Sequence, residues 1–430
     1  MTSLDDLHAA ILADPDSDEP RLVYADALQA AGDPRGELIA IQCELARLGC
    51  ERTGWAIDGA SPYEDHADAL DDSLVAIEPA RRFALRDRER ALLEAYGTRW
   101  WRGDAACRFH RGFVDHVTTS AARIPAMFEQ APLLRSISIG DYETTGLALF
   151  EHTRARRLRR LELRLAPSSS DAFLDRIPEL VGLRHLAITG VGGSGSVHHR
   201  ASAETIDRFF ACPTLTQLEV LDFWQAGATG GHLVPVLETA PVFALRLSAT
   251  EESPFDALLR SPHAGKLEIL RVGLYGEQDL LGPMVTSPHL QNLRALEVNS
   301  WSRGLELGTL GHAFPRLELL ILSGNFVRFE PLFAGGGLGR LTDLRIANCG
   351  LRDEGFAALA DSPLLSRLTT LDASNNPLTD AGAAALVAAA PRTRLAVLDV
   401  RDNQLTARGR AELLNAFPDT RVLVGSRLPR

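Results

Sequence analysis

Lysine is nearly missing from this chain. Lys266 is the one lysine in 430 residues, so every other fixed side-chain cation is an arginine, whose rigid fork suits bidentate carboxylate contacts. A basic excess is missing as well. The net charge is −11, whereas nucleic-acid-binding chains usually carry a basic patch, so no nucleic-acid partner is expected. The five cysteines (Cys43, Cys50, Cys107, Cys212 and Cys349) include no C-x-x-C pair. An odd, dispersed set reads as free thiols in a reducing compartment. No apolar run approaches the length of a membrane span, and the N-terminus MTSLDDLHAAILAD is acidic where a signal peptide would be basic. A cytoplasmic protein with no membrane partner is expected. Walker-type loops, G-x-S-x-G elbows and H-E-x-x-H helices are all lacking, and neither cofactor nor metal is expected.

What is present begins with acid. Residues 1–110 hold 22 acids against 12 bases, and the remainder is nearly neutral. Asp14, Asp16 and Asp18 alternate like the first ligands of a calcium loop. Such a loop needs Gly at its sixth position and Glu at its twelfth, where this chain has Glu19 and Ala25. The stretch reads instead as a helix end and a turn. Before it, Leu4, Leu7, Ile11 and Leu12 share one helical face; after it, Pro20 suits the first turn of a second helix that stops at Gly32.

Self-similarity dominates the rest. LELLILSGNFV from Leu317, LTDLRIANCGL from Leu341, LTTLDASNNPL from Leu368 and LAVLDVRDNQL from Leu395 share one pattern. Its ninth position holds Asn325, Cys349, Asn376 and Asn403. The pattern L-x-x-L-x-L-x-x-N/C-x-L resembles the leucine-rich repeat, of the ribonuclease-inhibitor-like type. The register walks back through Leu293, Leu267, Val242, Leu218, Leu183, Leu158 and Leu134, mostly at spacings of 24 to 27 residues. In these earlier repeats the Asn position holds Tyr142, Ala166, Val191, Ala226, Thr250, Tyr275 and Trp301, so an Asn ladder is expected only near the C-terminus. TGVGGSGSVHHRASAE widens one spacing to 35 and reads as a surface loop. Each repeat predicts a short strand and a return segment, helical in DEGFAALADS and DAGAAALVAAAP. The fold class is therefore α/β: a horseshoe solenoid with parallel strands on its concave face, preceded by a small all-α module. Leu344, Leu371 and Leu398 are expected in the core. RFHRGFVDHVTTSA, with Phe113 and Val117 inward, and TRVLVGSRL read as end strands.

LHAAILADPDSDEPRLVYADALQAAGDPRGELIAIQ is similar to the bacterial repeat-companion domain, a short module found ahead of repeats. Asp14, Pro15, Pro20-Arg21-Leu22, Tyr24-Ala25-Asp26, Leu28, Gly32 to Glu37 and Gln42 carry the resemblance. It implies fold and context rather than an activity. The expected division is a helical module at 1–48, an acidic connector and helix at 49–110, and the solenoid with its caps at 111–430. In the module, Leu38, Ile41, Leu45 and Leu48 share a face, and Arg21, Asp26, Arg35 and Glu37 are expected to form one ion-pair cluster. Residues 49–80 read as a weakly ordered connector.

Period-2 alternation sends the leucines inward and the intervening residues to the concave face. There the register predicts Arg160, Glu162, Arg164, His185, Asp222, Trp224, Arg246 and Arg271, followed by Glu297, Asn299, Asp343, Arg345, Asp372, Asp399 and Arg401. Trp and Arg are common interface anchors, and about a dozen strands at roughly 4.8 Å make an arc suited to a protein surface. The expectation is a non-catalytic scaffold for an unidentified protein partner. Alternatives are a regulator of a partner enzyme, of the inhibitor or GTPase-activating kind, and a ubiquitin-ligase-like effector enzyme. His198-His199 and the Gly335–Gly337 run read as loop residues.

Overall fold

A computed structural model describes residues 3–48, 79–103, 105–139, 147–165, 171–190, 210, 213–223, 230–250, 256–275, 281–300, 307–325, 328–334 and 337–426. The expected connector, the Gly/Ser insertion with His198 and His199, and Gly335 and Gly336 fall outside these residues, as do Tyr142, Ala166, Val191, Ala226 and Trp301. The chain divides into two compact units, one ending at Gly227 and the other starting, in its main part, at Ala228.

The first unit opens with helices α1 (Leu4–Ala13), α2 (Glu19–Ala30) and α3 (Arg35–Arg47), and then α4 (Pro79–Trp100). Ser3 and Asp6 form a capping box at the start of α1, and a proline sits in the first turn of α2. Leu4 departs from expectation: it is exposed, and only Ile11 of the four predicted apolar residues is fully buried. Helix α3 is buried on two sides. Leu38, Ile41 and Leu45 pack with Leu92 of α4, while Ile39 and Cys43 pack with Ile11, Ala25, Leu28 and Phe113. Helices α2 and α3 approach so closely that a Cβ on Gly36 would lie 2.4 Å from the Ala25 carbonyl oxygen, which requires glycine there.

Strands β1 (Ala106–His110) and β2 (Phe113–Thr119) form an antiparallel hairpin, so the boundary expected at 110/111 falls in its turn. Then β3 (Ser136–Ile139), β4 (Arg160–Leu165), β5 (His185–Gly190) and β6 (Val220–Phe223) follow in chain order, each parallel to the one before. Phe113 and Val117 are buried, as the end-strand reading required.

Gln42 joins the helices to the hairpin. Its amide nitrogen donates to Glu89 Oε1 of α4 at 2.6 Å and to the Phe109 carbonyl at 3.0 Å, and its Oε1 accepts from the Gly112 N–H at 2.6 Å. The predicted four-residue ion cluster is not what forms. Arg21 donates to the carbonyls of Ser17 and Pro15, and Arg35 donates to the Gly112 carbonyl and covers the Phe113 ring. Glu37 takes a bidentate bond from Arg88 of α4, and Asp26 is exposed. Arg35 and Glu37 serve different neighbours because the segments nearest to them are the hairpin and α4, which lie far away in sequence, whereas Arg21 ties down the loop before its own helix. The acidic loop is satisfied by arginines. Arg111 pairs with Asp18 at 3.0 Å and Arg135 with Asp16 at 2.5 Å, while Arg159 lies 3.7 Å from the second Asp16 oxygen.

The second unit holds β7 (Ala244–Thr250), β8 (Ile269–Tyr275), β9 (Ala295–Ser300), β10 (Leu319–Ile321), β11 (Asp343–Arg345), β12 (Thr370–Asp372), β13 (Val397–Asp399) and β14 (Arg421–Leu423). All are parallel and ordered as in the chain. Helices α5 (Asp353–Asp361), α6 (Asp380–Ala389) and α7 (Ala407–Ala416) return the last repeats. Leu344, Leu371 and Leu398 are completely buried. The α/β leucine-rich-repeat solenoid is thus present, strand stacked on strand through aligned leucines.

Two side-chain ladders bind the C-terminal repeats together. Asn376 Oδ1 accepts from the Cys349 and Leu351 N–H groups of the preceding repeat, and Asn403 Oδ1 does the same for Asn376 and Leu378. Cys349 fills the ladder position as a donor, with its Sγ 3.2 Å from the Leu322 carbonyl. Burial pushes that thiol up to about 12, so it stays protonated. The second ladder joins helix starts. Asp353 accepts from the Thr379 N–H and hydroxyl at 2.8 and 2.6 Å, and Asp380 accepts likewise from Thr406 at 2.9 and 2.5 Å. A Cβ on Gly382 would lie 2.5 Å from Asp353 Oδ1, so glycine makes room for the staple.

Two outcomes follow. Leu371→Ala removes a fully buried side chain between two neighbouring repeats and is expected to cost about 2–5 kcal/mol in denaturant unfolding. Gln42→Leu strands the Gly112 N–H and the Phe109 carbonyl and leaves Glu89 with Arg86 alone among the described residues, and is expected to cost about 1–3 kcal/mol in the same measurement; an unchanged midpoint would show that Gln42 does not join the helices to the hairpin.

Candidate functional site

Strand register decides which side chains stand beside one another. In the first unit, one row runs His116, Ser136, Arg160, His185 and a second runs Thr118, Ser138, Glu162, Ala187, Asp222. A hydrogen-bonded path links the rows. Ser136 Oγ lies 2.6 Å from His116 Nδ1, and His116 Nε2 lies 3.3 Å from Ser138 Oγ. Ser138 then donates to Glu162, which pairs with Arg160. Arg160 and Glu162 keep a small exposed fraction, whereas His185 and Asp222 are buried. The backbone of Arg164 belongs to β4, but nothing is described of its side chain, and Trp224 lies outside the described residues.

In the second unit, one row runs Arg246, Arg271, Glu297, Ile321, Arg345, Asp372, Asp399. Arg271 donates to Glu297, and Asn299 donates to the other Glu297 oxygen at 2.7 Å. Farther along, Arg345 pairs with Asp343 at 3.2 Å and Arg401 with Asp399 at 2.6 Å. Asp372 accepts from the Ser374 N–H and hydroxyl. Most of these groups are buried. The half-buried Asn299 and the Arg401 side chain, at 26% exposed, are the exceptions.

The solvated face expected from alternation is therefore a self-paired one. Taking a charge out of water is costly unless a partner compensates it, and along these strands the compensation comes from the next strand or from two residues away. The adjacent row, Ala244, Ile269, Ala295, Leu319, is apolar and buried where alternation predicts polar residues. His116, Ser136 and Ser138 were not among the expected site residues, although Ser136 and Ser138 occupy the intervening positions of the repeat that begins at Leu134. Small hydroxyls at those positions look unremarkable until the register sets His116 beside them.

Burial alone would raise the Glu297 carboxyl. The Arg271 charge and hydrogen bond, with Arg246 and the Asn299 amide, outweigh burial and hold it below the usual carboxylate range. Among the described residues no group of three or more His, Cys, Asp or Glu side chains could hold a metal ion, and no helix is long and apolar enough to cross a membrane. What the arrangement offers is a set of arginine forks and carboxylates fixed at strand spacing.

Comparison with known proteins agrees with the repeats. A family model described as Leucine Rich repeat matches residues 366–387. The chain is similar to an internalin from Listeria monocytogenes at 13% identity and a TM-score of 0.34, over 74% of this chain and 87% of that one. It is similar to a chain of the yeast Rad7–Elc1 complex at 12% identity and a TM-score of 0.41, over 80% and 91%. A leucine-rich-repeat protein from Leptospira interrogans is similar at 15% identity and a TM-score of 0.33, over 68% and 90%. No curated protein matches the sequence.

Glu297→Gln leaves Arg271 buried without its counter-charge and is expected to cost about 3–5 kcal/mol at neutral pH. Because the folded carboxyl sits below its unfolded value, its contribution is full above the unfolded value and fades as pH falls through the folded one. The gap between wild type and variant in thermal unfolding should therefore narrow on acidification; a constant gap would assign the loss to packing.

Proposed function

We propose that the chain is a non-catalytic scaffold that binds another protein through the charged strand face of its leucine-rich repeats. The observation that carries this reading is the row Arg345, Asp372, Asp399 on three consecutive strands, with Asp343 and Arg401 beside it. The pairs hold the side chains in place before any partner arrives, which lowers the ordering cost of association. Arg401 keeps donors in solvent for a partner carboxylate. In the first unit the proposed face takes in Arg160, Glu162, His185 and Asp222, with Arg164 and Trp224 included from the sequence pattern alone; in the second it takes in Arg246, Arg271, Glu297, Asn299 and Asp372. The buried members act as fixed supports, and the partly exposed Arg160, Glu162 and Arg401 make contact.

The same reading takes residues 1–48 as a repeat-companion module, 49–110 as an acidic connector and helix, and 111–430 as the solenoid of a cytoplasmic bacterial protein. Arg35 and Gln42 join this module to the first hairpin, and both lie within the stretch that carries the resemblance, which supports it.

The test is affinity capture from a bacterial lysate followed by a titration of the purified partner against wild type and Arg401→Glu. Charge reversal at a partly exposed anchor is expected to weaken binding by about tenfold or more, with the fold checked by circular dichroism. Equal affinity for both proteins would remove the strand face from the account.

A further inference from the structure

A second arginine feature lies off the strand face. Residues 153–159 read TRARRLR, four arginines with no acid among them, in a chain of net charge −11. The stretch forms the 3-10 turn Thr153–Arg157 and the entry to β4. Ala155 and Leu158 are buried and anchor the backbone, while Arg156, Arg157 and Arg159 stand exposed. Neither Arg156 nor Arg157 forms an ion pair within 4 Å among the described residues, although the Arg156 charge, after that of Arg176, helps hold the Glu179 carboxyl below its usual range.

Arg159 also belongs to a column. Arg135, Arg159 and Arg184 each precede a strand by one residue, and their backbones are bonded in series: Arg159 N–H to the Arg135 carbonyl and Arg184 N–H to the Arg159 carbonyl, both at 2.8 Å. The far end of this column already holds a carboxylate. Asp16, on the acidic loop between α1 and α2, lies 2.5 Å from Arg135 and 3.7 Å from Arg159. The edge therefore demonstrates on the chain's own loop what it can bind, and Arg156 and Arg157 stand exposed in the turn that leads into Arg159.

We propose that this edge binds an acidic polypeptide segment of a partner protein, with Arg156, Arg157 and Arg159 taking its carboxylates as Arg135 takes Asp16. A polypeptide fits better than a phosphate backbone or an anionic membrane. Glu151 and Glu179 are interleaved here, paired with Arg176 at 2.9 and 2.7 Å, and Glu219 lies 3.7 Å from Arg184. A regular row of phosphates meets those carboxylates as well as the arginines, whereas a peptide spaces its acids between neutral residues. The arginine fork also matches a carboxylate with two parallel bonds. This edge is separate from the strand face, so the two readings stand or fall apart.

The test is fluorescence anisotropy with a labelled peptide of alternating aspartate and glycine, titrated with wild type, Arg156→Glu/Arg157→Glu and, as a control, Arg260→Glu at an exposed arginine of the second unit. The expected result is saturable binding that weakens with salt, falls by about tenfold or more in the double variant and is unchanged in the control. Arg156→Gln/Arg157→Gln serves if the reversal variant fails to fold, with a smaller loss in the same direction. No binding by wild type, or equal binding by the double variant, overturns the proposal. So does tighter binding of duplex DNA or of phosphatidylserine vesicles than of the peptide, with the same dependence on Arg156 and Arg157.

Discussion

No single repeat of this chain can bury its own apolar side. A strand of three to seven residues carries leucines on one face only, and its backbone carbonyls and N–H groups need a neighbouring strand on each side. The aligned positions Leu320, Leu344, Leu371 and Leu398 supply the apolar contact. The Asn and Asp–Thr ladders supply polar closure where the helices leave the strand backbone behind. Once that stacking is imposed, every side chain on the opposite face acquires fixed neighbours one strand away, and the chemistry of that face is set by the register.

This constraint explains why a face rich in arginine and carboxylate pairs with itself. Adjacent strands lie about 4.8 Å apart, close enough for a guanidinium to reach a carboxylate on the next strand, as Arg271 reaches Glu297. It also explains the ends. A terminal strand would present an unpaired edge and an uncovered apolar side. In the first unit the β1–β2 hairpin closes the edge and the three N-terminal helices cover it, with Gln42 satisfying the polar groups left at the junction.

The repeats were legible in the sequence because a period of about 25 residues repeats the same chemistry many times, so a local misreading is corrected by its neighbours. The core leucines, both end strands and the helices after Asp353 and Asp380 followed from that period. Contacts between segments remote in sequence were not legible. Arg35 and Glu37 are close in sequence and were expected to share one ion-pair cluster, but their partners are a hairpin carbonyl and Arg88. The same limit hid the His116–Ser136–Ser138 path, which exists only because parallel register aligns residues about 20 apart. On the strand face, alternation identified which residues point away from the leucine core, yet it carried no information on what each one meets there, so Leu319 and Ile321 were missed and the buried state of Arg246 was not foreseen.

The central claim is that the charged strand face is fixed by its own pairs before a partner binds. A double-mutant cycle in denaturant unfolding across Asp343 and Arg345, with Asp343→Asn, Arg345→Met and the combination, measures this directly. The account predicts a coupling of about 1–3 kcal/mol between the two positions. Additive effects with no coupling would contradict it, and would leave these side chains as independent polar groups with no pre-set arrangement to offer a partner.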